Sequence, residues 1–397
     1  MKKKLYCVFL FIMITMLFSG CWSRTEPKNL SITNSVLFDV KEDGSYQLTK
    51  EIMKLSGDAG SKGDGGGKNS VVQFNCEGKT VAEAVRDELN GKALFGGNLK
   101  ARLFSEKFAK KGMIPVLDFL SRDHLTDETP FMAVVKDEEP KRVYSSITGL
   151  SDMVGNYIDE LSKTQLKIKS ESVFVTTLEF IKEYYADGKQ PVAGLIEITE
   201  NDSKPIGNAQ TGSQGTPEKE YKMVYSGLAA FKDDKLVGYM NATETRAYNF
   251  VTNKLKGAII SSSDGLTAVK VTKSKSKIKT NIKNGQTTIS VNIVVALSVI
   301  QDGTNTDVNE INPLKTLEQN FNKQLETEIA ESIQKAQQEF KSDIFGFGSA
   351  VHAQQPEEWR NIKKIWDDIF SKAKVNVTVN SSVVMSGETK NSFIQEE

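Results

Sequence analysis

Cys21 is the residue of this 397-residue chain most clearly placed for chemistry. It follows the small pair Ser19-Gly20, which closes the apolar run Leu5–Phe18, itself opened by Lys2, Lys3 and Lys4. A positive start, an apolar stretch and a small-residue exit are the layout of an export leader, here residues 1–20. The run is shorter than the ~18 apolar residues a helix needs to cross a bilayer, so the leader is expected to be removed. A thiol directly behind the exit reads as a lipobox. The Cys21 sulfur takes a diacylglyceryl group, cleavage falls between Gly20 and Cys21, and the mature chain starts at the lipidated residue. Phe18 stands three places before the cysteine, where leucine is usual, with Leu17 one place further back. One acyl chain holds a protein reversibly and two hold it durably, at about 0.8 kcal/mol per buried methylene. Cys21 therefore predicts a water-soluble body tethered to a membrane.

The other candidates are weaker. The chain has three cysteines and two histidines. Cys7 lies in the leader, and Cys76, in the strand-like "VVQFNCEG", reads as a small buried hydrophobe rather than a reactive thiol. With only His124 and His352 beside it, a zinc cluster of the His/Cys kind cannot be built. No calcium loop and no Gly-x-Ser-x-Gly elbow occurs, and His124, in "SRDHLTDE", reads as a turn residue. "GDAGSKGDGGGKNS", residues 57–70, has Lys62 and Asn69 where a phosphate loop needs glycine and Ser or Thr, so it reads as a loop. "FGFG", 345–348, lacks the third glycine of a dinucleotide fingerprint at Val351. It reads as a sharp turn with Ile344, Phe345 and Phe347 in the core, against a second reading as a partner-facing plug. No catalytic, cofactor or metal site is expected.

Basic and acidic residues number 51 each, and loss of the three leader lysines leaves a slight acidic excess. That balance gives no general pull toward nucleic acid. Locally, Lys273, Lys275, Lys277 and Lys279 alternate along one strand. They read first as a solvated face protecting an edge, and second as a contact for lipid head groups or an acidic partner. Trp359 and Trp366 read as core, with an outward docking pair as the alternative.

These residues sit on recognisable elements. "SITNSVLFDV" and "YQLTKEIMKL" flank a turn at Lys41–Gly44 and predict a hairpin. Thr80 and Glu83 form a capping box before an amphipathic helix. "NLKARLFS" and "FMAVVKD" read as strands around a helical stretch interrupted near Gly112 and Pro115. Residues 141–190 read as mainly helical, up to a strand at "PVAGLIEIT". The polar stretch that follows predicts an interdomain linker at 206–220. Beyond it come the hairpin "YKMVYSGLAAF"/"LVGYM", a short helix at "TETRAYNFVTN", and two long strands joined at Asn284-Gly285. A helix from Pro313 follows, its apolar stripe at threes and fours with a gap near Ala336. One helix from Pro356 to Phe370 and the alternating strand "KVNVTVN" end the pattern. The expected class is α+β and multidomain, with three domains, mixed or antiparallel sheets flanked by helices and a long C-terminal amphipathic helix on a sheet. The expected divisions are an N-terminal α/β domain at 21–140, a mainly helical middle at 141–205, and a C-terminal α+β domain at 221–397. At this length more than one core is the norm.

Four separated segments together resemble the Ger(x)C lipoproteins, the C subunits of nutrient germinant receptors of spore-forming bacteria. "GCWS" with Glu26 and Leu30, "LDFLSRD" at 117–123, "GLAAFKDDKLVGYMNATETRAY" at 227–248, and "SDIFGFG" with Trp359, Trp366 and Gly387 carry the resemblance. Ser23, Pro27 and Ala247 depart from the family's usual residues, the last where glycine is usual. The resemblance implies a three-domain α/β lipoprotein on the outer face of the spore's inner membrane, assembled with the A and B membrane subunits in a complex that senses small nutrients. With no catalytic constellation in the residues, a scaffold role is expected. The alternative is a lipoprotein that captures a nutrient directly, as solute-binding proteins do, although such proteins have two similar lobes and these halves are unlike.

Overall fold

Ser31–Val40 (β1) and Tyr46–Met53 (β2) form the hairpin that the turn residues predict, with Gly44 at φ 83 in the turn. The computed structural model describes residues 31–53, 71–86, 94–95, 98–123, 127–146, 153–200, 221–283, 285–303 and 311–385. Val71–Gly78 (β3) pairs antiparallel with β2, and the short Leu94–Phe95 (β4) pairs with the start of β1. On its other side β1 pairs in parallel with Ala101–Ser105 (β5), followed by Phe131–Lys136 (β6) and Val192–Glu200 (β7), also parallel. Parallel neighbours need crossovers, and helices supply them. Glu106–Lys111 (α2) and Ile114–Arg122 (α3) lie between β5 and β6, broken at Gly112 as expected. Val154–Ile168 (α4) and Thr177–Tyr184 (α5) lie between β6 and β7. An earlier short helix, Val81–Arg86 (α1), carries the predicted capping box, with Glu83 N–H donating to Thr80 Oγ1 at 3.1 Å. The central strands are covered on both faces, which is why β5 and the first five residues of β6 are buried throughout rather than alternately.

Tyr221–Lys232 (β8) and Lys235–Met240 (β9) then complete this same sheet, in the order β3-β2-β1-β5-β6-β7-β8-β9. The expected linker at 206–220 lies outside the described residues, but the strands flanking it are antiparallel neighbours, Val192 facing Ala230 and Glu200 facing Tyr221. The expected helical middle region likewise contributes β7 to the sheet. Breaker-rich composition marks a loop and is blind to whether the strands on either side pair. The change of sheet comes later, after Ala242–Val251 (α6).

The second sheet has the order β10-β11-β12-β13: Ala258–Ser261 (β10), Thr267–Lys283 (β11), Gln286–Asp302 (β12) and Lys374–Met385 (β13). β11 and β12 turn at Gly285, φ 75, and β13 joins β12 in parallel. Ile289, Val291, Ile293, Val295 and Leu297 point inward from β12 and are buried. The long helix Ile311–Lys335 (α7) buries Phe321, Leu325, Ile329 and Ile333. At 25 residues it is about 38 Å long. The gap near Ala336 is a turn of π-helix, Ala336–Phe340, whose wider turn resets the stripe between Ile333 and Phe340. Phe347–Gln354 (α8) follows. The single helix expected from Pro356 is divided into Pro356–Ile362 (α9), a 3-10 turn at Lys363–Ile365, and Trp366–Lys372 (α10). One apolar cluster runs from Phe104, Val134 and Phe180 through Tyr248 and Phe345 to Val291 and Phe321, so the two sheets share a core. A second cluster, with Leu103, Phe131, Val154 and Ile158, lies under α4 on the other side of the first sheet. The architecture is α+β with two sheets flanked by helices, as expected.

Candidate functional site

Gly20, Cys21 and His124 lie outside the described residues. Cys76 is fully buried on β3. Ile344, Phe345 and Phe347 are 0%, 3% and 0% exposed, which answers the question of a core turn against an outward plug. Trp359 and Trp366 are buried edge to face, with centroids 5.5 Å apart. His352 is exposed on α8 and stacks on Trp359. Among the described residues no group of three or more His, Cys, Asp or Glu side chains is arranged to hold a metal. No described helix is long and apolar enough to cross a membrane. A cavity of about 890 Å³ beside α7 is lined by Ser262, Asp264, Asn312, Thr316, Gln324 and Glu328, among others.

The segment around "FGFG" is organised by a residue the sequence reading passed over. Asp343 Oδ1 accepts from the N–H groups of Gly346 (2.9 Å) and Phe347 (3.1 Å), and Oδ2 from Gly348 N–H (2.7 Å) and Trp366 Nε1–H (3.0 Å). These backbone donors are free N–H groups at the start of α8, where a carboxylate also suits the helix dipole. Burial pushes the Asp343 carboxyl up to about 6, and the four donors oppose that rise. The same turn meets the first half of the chain. Gln190 N–H donates to the Asp343 carbonyl at 2.9 Å, and Ser349 N–H to the Gly188 carbonyl at 2.9 Å. Gly188, φ +74, and Gly348 touch backbone to backbone, so that a Cβ on Gly348 would stand 2.6 Å from Trp366 Nε1 and 2.7 Å from Gly188 Cα. The signal available in sequence was an aspartate three and five places before two glycines, a side-chain cap on a turn.

A second junction lies along α6. Arg246 is 8% exposed and bridges Glu171 and Glu328, each at 3.2 Å. Glu171 precedes α5 and Glu328 lies on α7, so one guanidinium joins the two halves. Asn249 donates to the carbonyls of Ser170 (2.9 Å) and Ser172 (2.8 Å), and Gly227 N–H to that of Glu171 (2.7 Å). Asn241 and Glu244 form a capping box, and Glu244 pairs with Lys335 at 2.8 Å. Ala247 is buried within α6 with its methyl accommodated. Nothing local in "TETRAY" announces partners about 75 residues upstream and 82 downstream.

The lysine strand is the most distinctive surface. Lys270, Lys273, Lys275, Lys277, Lys279 and Lys283 are exposed on β11, and Lys374 is exposed on β13. The edge expectation holds for part of β11 only, because β10 covers residues 268–271 and leaves the rest open.

Comparison with known proteins divides the chain in two. The family described as "Spore germination protein N-terminal domain" matches residues 23–198, and "Spore germination B3/ GerAC like, C-terminal" matches 226–387. These two matches define a two-part spore germination protein. The chain belongs to the Ger(x)C family. Spore germination protein B3 of Bacillus subtilis (strain 168) is 24% identical over 96% of this chain and 97% of its own length. Spore germination protein KC of the same organism is 24% identical over 92% of each, and spore germination protein A3 is 24% identical over 96% of each. The crystal structure of the GerBC protein aligns with a TM-score of 0.52 at 18% identity, covering 88% of this chain and 96% of that one, a likeness of fold. The two family matches meet around 198–226, while the first sheet continues across that point through β8 and β9.

Proposed function

We propose that this chain is the lipoprotein subunit of a nutrient germinant receptor, and that it acts by contact rather than by catalysis. Diacylglyceryl-Cys21 holds it to the outer face of the spore's inner membrane, and its folded faces bind the A and B membrane subunits. The observation that carries this reading is the family match itself, which begins at residue 23, two places after the lipobox cysteine, and extends in two parts to residue 387. The internal junctions agree with it. Arg246 with Glu171 and Glu328, and the Gly188–Gly348 contact, lock the halves together, as a spacer between membrane components requires. Tethering raises the local concentration of partners without new contacts, so modest interfaces suffice.

Crosslinking in intact spores tests the proposal. The expected result is a covalent adduct with a membrane-embedded receptor subunit, lost or strongly reduced for Cys21→Ala. Absence of any adduct with receptor subunits from the native chain contradicts it.

A further inference from the structure

Side chains cap part of the open stretch of β11 and part of β13 in the four-stranded sheet. Along the open part of β11, Asn253 accepts from Ser276 N–H (2.7 Å) and donates to the Ser276 carbonyl (3.1 Å). Gln354 donates to the Ile278 carbonyl (3.0 Å) and accepts from Thr280 N–H (3.0 Å), and Gln355 donates to the Thr280 carbonyl (3.0 Å). Along β13, Glu326, Asn322 and Glu318 of α7 accept from the N–H groups of Val379, Ser381 and Val383, at 2.8, 2.8 and 2.7 Å. The fit is geometric: four residues of helix rise about 6 Å and two residues of strand about 6.6 Å, so successive helical turns meet successive outward N–H groups. An incoming strand therefore finds these stretches of β11 and β13 already occupied.

The outer face of this sheet remains open. The exposed β11 lysines stand opposite small or neutral residues of β12: Lys273 faces Ala296, Lys275 Val294, Lys277 Asn292 and Lys279 Ser290. β13 continues the face with Asn376, Thr378, Asn380 and Ser382. Among the described residues no carboxylate, arginine or aromatic residue stands on this face, and none of them forms an ion pair with any of its seven lysines. From Lys273 to Lys283 it runs about 33 Å at ~3.3 Å per residue.

We propose that this face docks on an anionic phospholipid surface, an inference that rests on the membrane-tethered reading above. Protein-binding patches are rich in tyrosine, tryptophan and arginine and poor in lysine at their centres, the reverse of this face. A flat array of ammonium groups on flexible stems suits many interchangeable phosphates instead. Each lysine adds a small attraction near an anionic membrane, lost beyond a Debye length of about 8 Å at physiological salt. A tether that keeps the face close makes such short-range attraction sufficient to orient the body.

The test measures amine-labelling rates, residue by residue, on the full chain mixed with vesicles of phosphatidylcholine alone or with phosphatidylglycerol added. Lys273, Lys275, Lys277 and Lys279 are expected to label about fivefold more slowly on the anionic vesicles, with the protection lost near 1 M salt, where the Debye length is about 3 Å. In the variant with all four changed to Gln, protection of Lys270, Lys283 and Lys374 should also disappear. These side chains are exposed, so the fold is retained. Equal rates on both vesicles overturn the proposal, as does protection that arises only when receptor membrane subunits are added to neutral vesicles, which would mark an acidic protein partner. Flotation separates the two readings: a chain that floats only with anionic vesicles loses the tether and keeps the face, and one that floats with neither loses both.

Discussion

Asp343→Ala removes the acceptor for four buried N–H groups at once, and its cost should depend on pH in a direction the structure fixes. Leaving a buried donor unsatisfied costs about 1–3 kcal/mol, and taking the low half of that range for Gly346, Phe347, Gly348 and Trp366 gives about 6 kcal/mol. Against this stands the burial of the charge. The carboxyl rises from 3.8 to about 6 on folding, so the native state holds this proton more tightly than the unfolded chain. The associated stability is fully present below about pH 4 and is lost as pH rises through about 6, a change of about 3 kcal/mol. The alanine variant has no such titration. Its deficit relative to the native protein should therefore be about 3 kcal/mol larger near pH 4 than near pH 7. Urea unfolding followed by the fluorescence of the buried Trp359 and Trp366 measures both values. A deficit that is equal at the two pH values, or that grows toward neutrality, would show that the donors outweigh burial and refute the reasoning.

Gly348→Ala should destabilise by about 3 kcal/mol, because its Cβ would lie 2.7 Å from the backbone of Gly188 and 2.6 Å from a buried indole nitrogen. Urea melts measure it, and a cost under about 0.5 kcal/mol, the range of ordinary surface changes, would show that the two halves are not in contact there. Replacing Gln354 and Gln355 together by Ala uncovers N–H and C=O groups of β11 at residues 278–280. Sedimentation should then detect concentration-dependent self-association that the native chain lacks, as an exposed strand edge predicts. A monomeric double variant would remove edge protection as the role of these amides.

Much of the fold was legible because it is local. The turn residues between β1 and β2, the lysine alternation along β11, the turn at Gly285, the Thr80–Glu83 box and the stripe of α7 each follow from residues within a few places of one another. Burial of Cys76, Trp359, Trp366 and the "FGFG" aromatics followed from their apolar character. The parallel order β1-β5-β6-β7 and the return of β8 to the first sheet were not legible, since pairing between residues 21 to 66 places apart leaves no periodic trace. The 3-10 turn at Lys363–Ile365 was also missed: over a single turn, periods of 3.0 and 3.6 place apolar residues almost alike. Of the candidate site, the lysine face could be read from alternation alone. The capped stretch of β11 could not, because Asn253, Gln354 and Gln355 reach it only after folding.

The response of spores carrying Cys21→Ala to nutrient tests the central claim most directly. The account predicts a chain that folds normally, with urea unfolding unchanged, in spores that no longer respond through this receptor. Spores with a full nutrient response despite the substitution would contradict it.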